Sequence, residues 1–335
     1  MIERDFSLNY HVGYRNTRRS LIKKIGFWIL LLFFLFILLL ITKNVFFKTD
    51  SDNTSMAKGI ISPLAKSQTN VLSASNTVSE SIALKAIVEN ALEGTTADYG
   101  ISIINLKTGE EYFYNEHAKF ESASLYKLWI MAVIYKWIDE GKLSLDEKLT
   151  QDVKTLNERF KLDEEVAEQK EGTISYTIRE ALDLMIAKSD NYAALLLALK
   201  VRLSAVQVFL NEYGLMDSKV GTASPSASPT TTSFDTSMFF NKLYNGEFSS
   251  PQNTSEMISL LKRQVLNEKL PKNLPKNTVV AHKTGELDGF SHDAGIVYSP
   301  GADYIIVVLS KSTNPKGADE RIVNISKEVY DYFNP

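Results

Sequence analysis

The chain has no cysteine in 335 residues. Disulfides, thiolate metal sites, cysteine nucleophiles and a cysteine-borne lipid are therefore all excluded. Histidine is scarce: His11, His117, His282 and His292 lie far apart, with no HExxH pair. No metal site and no cofactor are expected from such a set. Charge of one sign is not in excess either, with 37 basic against 40 acidic residues and a net charge of −3. A near-neutral chain does not advertise a nucleic-acid surface. No G-x-S-x-G elbow occurs, which weakens a Ser-His-Asp arrangement. Internal repeats and long charge blocks are also missing. The length allows one large domain or two smaller ones with a sizeable core.

One long apolar run is present. From Ile25 to Thr42 there are 18 residues without a charge, enough to cross a bilayer. The preceding flank carries six Lys/Arg against two acids, which keeps the N-terminus in the cytoplasm. A cleaved signal peptide is the rival reading, but the apolar core is long and TKNVFFKTD offers no small-x-small site. A buried core helix fits poorly with a run that is apolar all round. The expected organisation is a cytoplasmic stub over 1–24, a transmembrane helix over 25–42, a flexible linker over 43–80 and an extracytoplasmic catalytic domain over 81–335. Residues 48–80 are rich in Ser, Thr, Asn and Lys, as a spacer should be.

From Ser81 the pattern changes. SIALKAIVENALE has helical spacing, and YGISIINLKTGEEYFYN reads as two strands joined at a turn containing Gly109. SLYKLWIMAVIYKWIDEG follows as an apolar helix ending near Gly141. TIREALDLMIAKSDNYAALLLALKVRL reads as two helices broken at SDN, and helical patterns continue through SMFFNKLYNG and TSEMISLLKRQ. Strands are expected around NTVVAHKTG, GFSHDAGIVYS and DYIIVVLSKS, before the terminal helix ADERIVNISKEVYDYF. Strands at both ends with helices between them predict an α+β fold, one antiparallel sheet packed with a helical lobe.

Three short motifs stand out: S-x-x-K, S-D-N and K-T-G, the set used by penicillin-binding proteins and class A β-lactamases. Each also has decoys. S-x-x-K begins at Ser20, Ser55, Ser124 and Ser259; S-D-N at Ser51 and Ser189; K-T-G at Lys107 and Lys283. Ser20, Ser51 and Ser55 precede the domain, Lys107 lies in a polar hairpin turn, and Ser259 belongs to a short amphipathic helix. Ser124, Ser189 and Lys283 remain, in that order, at a helix start, an inter-helix junction and a strand end. Each alone has an ordinary reading: Lys127 can snorkel, Ser189 or Asp190 can cap a helix, and Lys283 can be a strand exit. Their order and placement together favour a site.

The residue types suit acyl transfer without histidine. An i, i+3 spacing brings Ser124 and Lys127 onto one face. Burial and the positive Lys283 would both lower the lysine pKa, so that Lys127 can take a proton from the serine. Ser189 can relay a proton to a leaving nitrogen, and Asn191 can hold a substrate amide. Lys283 and Thr284 offer a cation and a hydroxyl to a carboxylate.

On these motifs, and on GKLSLDEKLT, the TTT before SFDTSMFFNKLYNGE and HDAGIVYSP, the domain resembles the class A β-lactamase and penicillin-interacting serine hydrolase family. The resemblance implies a β-lactamase/transpeptidase-like fold, with Ser124 as acylated nucleophile and Lys127 as its base. Ser189 and Asn191 are then relay and amide clamp. Lys283, Thr284 and Gly285 belong to the carboxylate-binding strand, and the N–H groups of Ser124 and Glu286 to the oxyanion hole. Family members carry a glutamate in an omega-shaped loop that activates the deacylating water. The matching segment here, VGTASPSASPTTTS, has none; no glutamate lies between Glu212 and Glu247. Glu286 stands where a small residue is common, and His292 where an arginine is expected near the substrate carboxylate. Three activities are expected: hydrolysis of a β-lactam or peptide-like amide with slow deacylation, D,D-peptidase action on D-Ala-D-Ala-like cell-wall peptides, or acylation-based sensing without turnover.

Overall fold

The fold was analysed in a computed structural model, which describes residues 81–335 apart from 163, 166 and 222–227. The expected stub, membrane helix and linker lie outside the described residues. Among those described, no single helix is long and apolar enough to cross a membrane.

A five-stranded antiparallel sheet organises the domain. β1 (Asp98–Asn105) and β2 (Glu111–Tyr114) form the expected hairpin, with Gly109 at φ +75° in its turn. β7 (Val279–Leu287), β8 (Phe290–Tyr298) and β9 (Tyr304–Lys311) follow near the other end of the chain. The spatial order is β2-β1-β9-β8-β7, so β7 is an edge strand. Residue alternation along β1 and β9 divides the apolar side chains between two cores. Ile101, Ile103, Tyr304, Ile306 and Val308 face one side, with α1 (Ile82–Leu92) and α9 (Pro315–Phe333). Ile104, Ile305, Val307 and Leu309 join the larger core of the helical lobe.

At the centre of that lobe runs α2 (Tyr126–Asp139), whose residues Tyr126 to Tyr135 are all buried. A helix apolar all round needs cover on every side. The cover includes α4 (Ile178–Ala187), α5 (Asn191–Val201), α6 (Leu203–Glu212) and α8 (Pro251–Lys262), while α7 (Ser233–Tyr244) backs the sheet. Thr177 and Glu180 form a capping box that starts α4. The antiparallel sheet and helical lobe are those expected from sequence. The periodicity did not reveal the hairpin of β4 (Lys148–Asp152) and β5 (Thr173–Thr177), α3 (Val153–Phe160), or the short pair β3 (Phe120–Glu121) and β6 (Thr230–Thr231).

Candidate active site

Ser124 sits in a 3₁₀ turn over Ala123–Leu125, immediately before α2, rather than within the helix itself. The turn opens with Ala123, a non-glycine residue at φ +44°. Left-handed backbone is costly for such residues and clusters at functional sites. Edge strand β7 lies against this turn at Gly285. A Cβ there would meet the Ser122 carbonyl oxygen at 3.1 Å and the Ala123 Cβ at 3.3 Å, so any side chain would press the turn outward by a few tenths of an ångström.

Lys127, one helical turn on, is fully buried. Its Nζ donates to the Ser189 carbonyl oxygen at 2.6 Å and to Asn191 Oδ1 at 2.8 Å, with Ser189 Oγ farther off at 3.3 Å. A neutral amine keeps two N–H groups for the two close oxygens and turns its lone pair to the third direction, toward a hydroxyl. Burial, seconded by the Lys283 charge, holds this ammonium well below the usual lysine range; Asp190 and Glu168 oppose the shift.

The SDN tripeptide bridges α4 and α5 and divides its labour. Asp190 caps α5, accepting from the Ala193 N–H at 2.7 Å, the ordinary role for an acid at that position. Ser189 and Asn191 turn the other way, to Lys127. Ser189 holds φ +58°, a second left-handed residue at the site. Its hydroxyl accepts from Lys283 Nζ at 2.8 Å. Accepting from Lys283 leaves it its own hydrogen to donate toward the Lys127 amine, as a proton relay requires.

Lys283 is fully buried on β7 and also donates to the Thr284 carbonyl oxygen at 2.9 Å. Burial pulls its pKa down to about 7; Asp293 opposes this, Lys269 reinforces it, and Glu286 opposes it. Thr284 is buried and Glu286 exposed. Lys269, which no motif marks, lies in the irregular segment before β7 and donates to Glu286 Oε1 at 2.9 Å. The acid after K-T-G is thus neutralised from beneath.

His292 is placed otherwise than expected. The ring is buried: Nε2 donates to the Glu121 carbonyl oxygen at 2.8 Å, and Nδ1 accepts from the Ser310 N–H at 3.1 Å. Burial lowers its pKa to about 4, so it is a neutral strut beneath β3 rather than a cation offered to a carboxylate.

Of the acids near the loop after α6, Glu212 closes that helix and pairs with Lys136 at 3.0 Å, and Asp217 lies 2.8 Å from His117 Nδ1. Sequence reasoning also passed over Glu168, which accepts from Asn191 Nδ2 at 2.6 Å. Of the decoys, Ser20, Ser51 and Ser55 lie outside the described residues, Lys107 is exposed in its turn, and Ser259, half-buried on α8, accepts from Arg263. Among the described residues, no cluster of His, Asp and Glu is arranged to hold a metal.

The family model described as the beta-lactamase enzyme family matches residues 83–333. Beta-lactamase VEB-1 of Pseudomonas aeruginosa is 26% identical over 280 residues, covering 77% of this chain and 92% of its own. Among solved structures, PBP-A matches with a TM-score of 0.65 at 25% identity, over 75% of this chain and 96% of that one. A variant of PBP-A is known as an acyl-enzyme complex with penicillin G. A beta-lactamase from Sphaerobacter thermophilus shares the fold, with a TM-score of 0.65 at 22% identity over 75% of this chain and 97% of its own.

Proposed function

The chain belongs to the beta-lactamase enzyme family, and from that premise we propose that it is a membrane-anchored, extracytoplasmic serine hydrolase acylated at Ser124 and slow to release the acyl group. The observation that carries the chemistry is the meeting of Lys127 and Lys283 at Ser189 Oγ. Lys127, buried and held by Ser189 and Asn191, takes the Ser124 proton as the serine attacks the amide or lactam carbonyl. Ser189 passes a proton to the departing nitrogen. Lys283 and Thr284 hold the substrate carboxylate, and Asn191 its acyl amide. Developing charge on the carbonyl oxygen is met by main-chain N–H groups of Ser124 and Glu286.

Slow release has its cause in the chain itself. No glutamate occurs between Glu212 and Glu247, and Asp217 is engaged with His117. Loss of a general base costs roughly 10²–10⁴-fold in the step it serves. Acylation is spared and deacylation is not. That balance favours a second reading, a D,D-peptidase acting on D-Ala-D-Ala-like cell-wall peptides, over an efficient lactamase.

Intact-mass time courses with a penicillin test this reading. Wild type gains one adduct that persists, and Ser124→Ala gains none. An adduct that decays within seconds would make the protein an ordinary lactamase, and an adduct on Ser124→Ala would remove the serine assignment. The anchor over 25–42 is checked by fractionation: the full chain sediments with membranes and a chain starting at residue 81 does not.

A further inference from the structure

Two carboxylates rim the site, and they differ in one respect. Glu286 is closed on the Lys269 ammonium at 2.9 Å. Glu168, on the segment leading into β5, has no ion-pair partner among the described residues; its contact is the Asn191 amide, which donates at 2.6 Å. Lys127 faces it only through that amide, accepted at Oδ1 and buried beneath. Glu168 is exposed, as are Glu164, Glu165 and Glu171 on the same segment, against the cations Lys161 and Lys170.

The reading of Ser124 as nucleophile sets the direction of a bound substrate, and the role of Glu168 rests on that reading. The carboxylate end lies at Lys283 and Thr284 on β7, the reacting carbonyl at Ser124, and the acyl amide at Asn191. Asn191 Nδ2 carries two hydrogens. One goes to Glu168, and the other is left for the substrate's amide carbonyl. Glu168 therefore stands one hydrogen bond beyond that amide, on the side where the acyl substituent leaves the site. A carboxylate with no ion-pair contact at that point attracts a cation and repels an anion.

We propose that Glu168 is a specificity residue that selects acyl groups carrying an ammonium or guanidinium. Its carboxylate pairs with that cation while its hydrogen bond keeps the Asn191 amide turned to the substrate. The site then reads a substrate at both ends: an anion at Lys283 and a cation at Glu168.

The test is the acylation rate constant for two penicillins that differ only in an α-amino group on a phenylacetyl side chain, measured on wild type and Glu168→Gln. The glutamine keeps an oxygen acceptor for Asn191 and removes the charge. Wild type is acylated faster by the amino compound, and the ratio falls about three- to fivefold in Glu168→Gln, as for loss of an exposed ion pair. Added salt narrows the wild-type ratio in the same sense. The proposal is overturned if wild type shows no preference, or if the variant slows both compounds equally, which would leave Glu168 only to hold Asn191. Both of those outcomes still show an adduct on Ser124. If neither compound labels Ser124, the functional reading itself has failed and the proposal falls with it.

Discussion

The Lys269 ammonium, only 3% exposed, lies 2.9 Å from the Glu286 carboxylate, which is 67% exposed. A buried cation thus faces out through a surface anion, next to the strand proposed to receive the substrate carboxylate. Lys269→Met frees the Glu286 charge beside Lys283 and Thr284. KM for a carboxylate-bearing substrate should then rise about fivefold, with Glu286→Gln in the same chain restoring it. A double-mutant cycle on KM measures the coupling. Independent, additive effects would show that the pair has no bearing on the substrate.

In the proposed reaction Lys283 sets a pH limit. Burial, opposed by Asp293, reinforced by Lys269 and opposed by Glu286, places its pKa at about 7. The ammonium is present below that value and lost above it, so recognition of an anionic substrate weakens as pH rises through about 7. Second-order acylation by a carboxylate lactam should show this descending limb, and acylation by its methyl ester should not. Lys283→Arg, whose guanidinium does not deprotonate, should abolish the limb. A limb that persists with the ester must arise from another group.

Gly285 is where sheet and nucleophile turn touch. In Gly285→Ala the new methyl meets the Ser122 oxygen at 3.1 Å, His292 Cδ2 at 3.2 Å and the Ala123 Cβ at 3.3 Å. The turn must shift by a few tenths of an ångström and Ser124 with it. Acylation should fall about 10- to 100-fold, with a stability loss of about 1–3 kcal/mol. Adduct kinetics and urea denaturation read the two effects separately; unchanged kinetics would mean the turn yields without moving the serine.

His292 links stability to acid. Its folded pKa lies at about 4 against 6.5 for a free imidazole, because burial disfavours the charged ring. Between those values the unfolded chain binds a proton that the folded one refuses, so stability falls as pH drops from 6.5 toward 4. The contribution is up to about 3 kcal/mol. His292→Asn, which does not titrate, should flatten the change in urea midpoint between about pH 7 and pH 4.5. An equal slope in both proteins would assign the acid sensitivity elsewhere.

The parts legible in the sequence were those written in periodicity. Strand-like runs set off by turn residues marked β1, β2, β7, β8 and β9, and the apolar run after Ser124 gave a helix buried on all sides, which makes Lys127 a desolvated amine. Motif order separated Ser189 and Lys283 from their decoys. Glu168 and Lys269 carry no such mark. They sit in irregular segments, 23 residues before Asn191 and 17 before Glu286, and only the folded chain brings them there. His292 was misread because its partners are main-chain atoms of Glu121 and Ser310, which side-chain patterns cannot reveal. The β4–β5 hairpin escaped because most of its residues alternate between exposed and half-buried, with little apolar signal.

Strand β9 occupies the middle of the sheet, between β1 and β8, yet it is the last strand in the chain. Its partner β1 ends far earlier, since Asn105 pairs with Tyr304. A ribosome delivering the chain from its N-terminus therefore leaves two separate hairpins, β1–β2 and β7–β8, until residues 304–311 arrive. Closure at such sequence separation is slow. The turn bearing Ser124 and the strand bearing Lys283 belong to opposite sides of that gap, so the sheet that joins them closes only when β9 arrives.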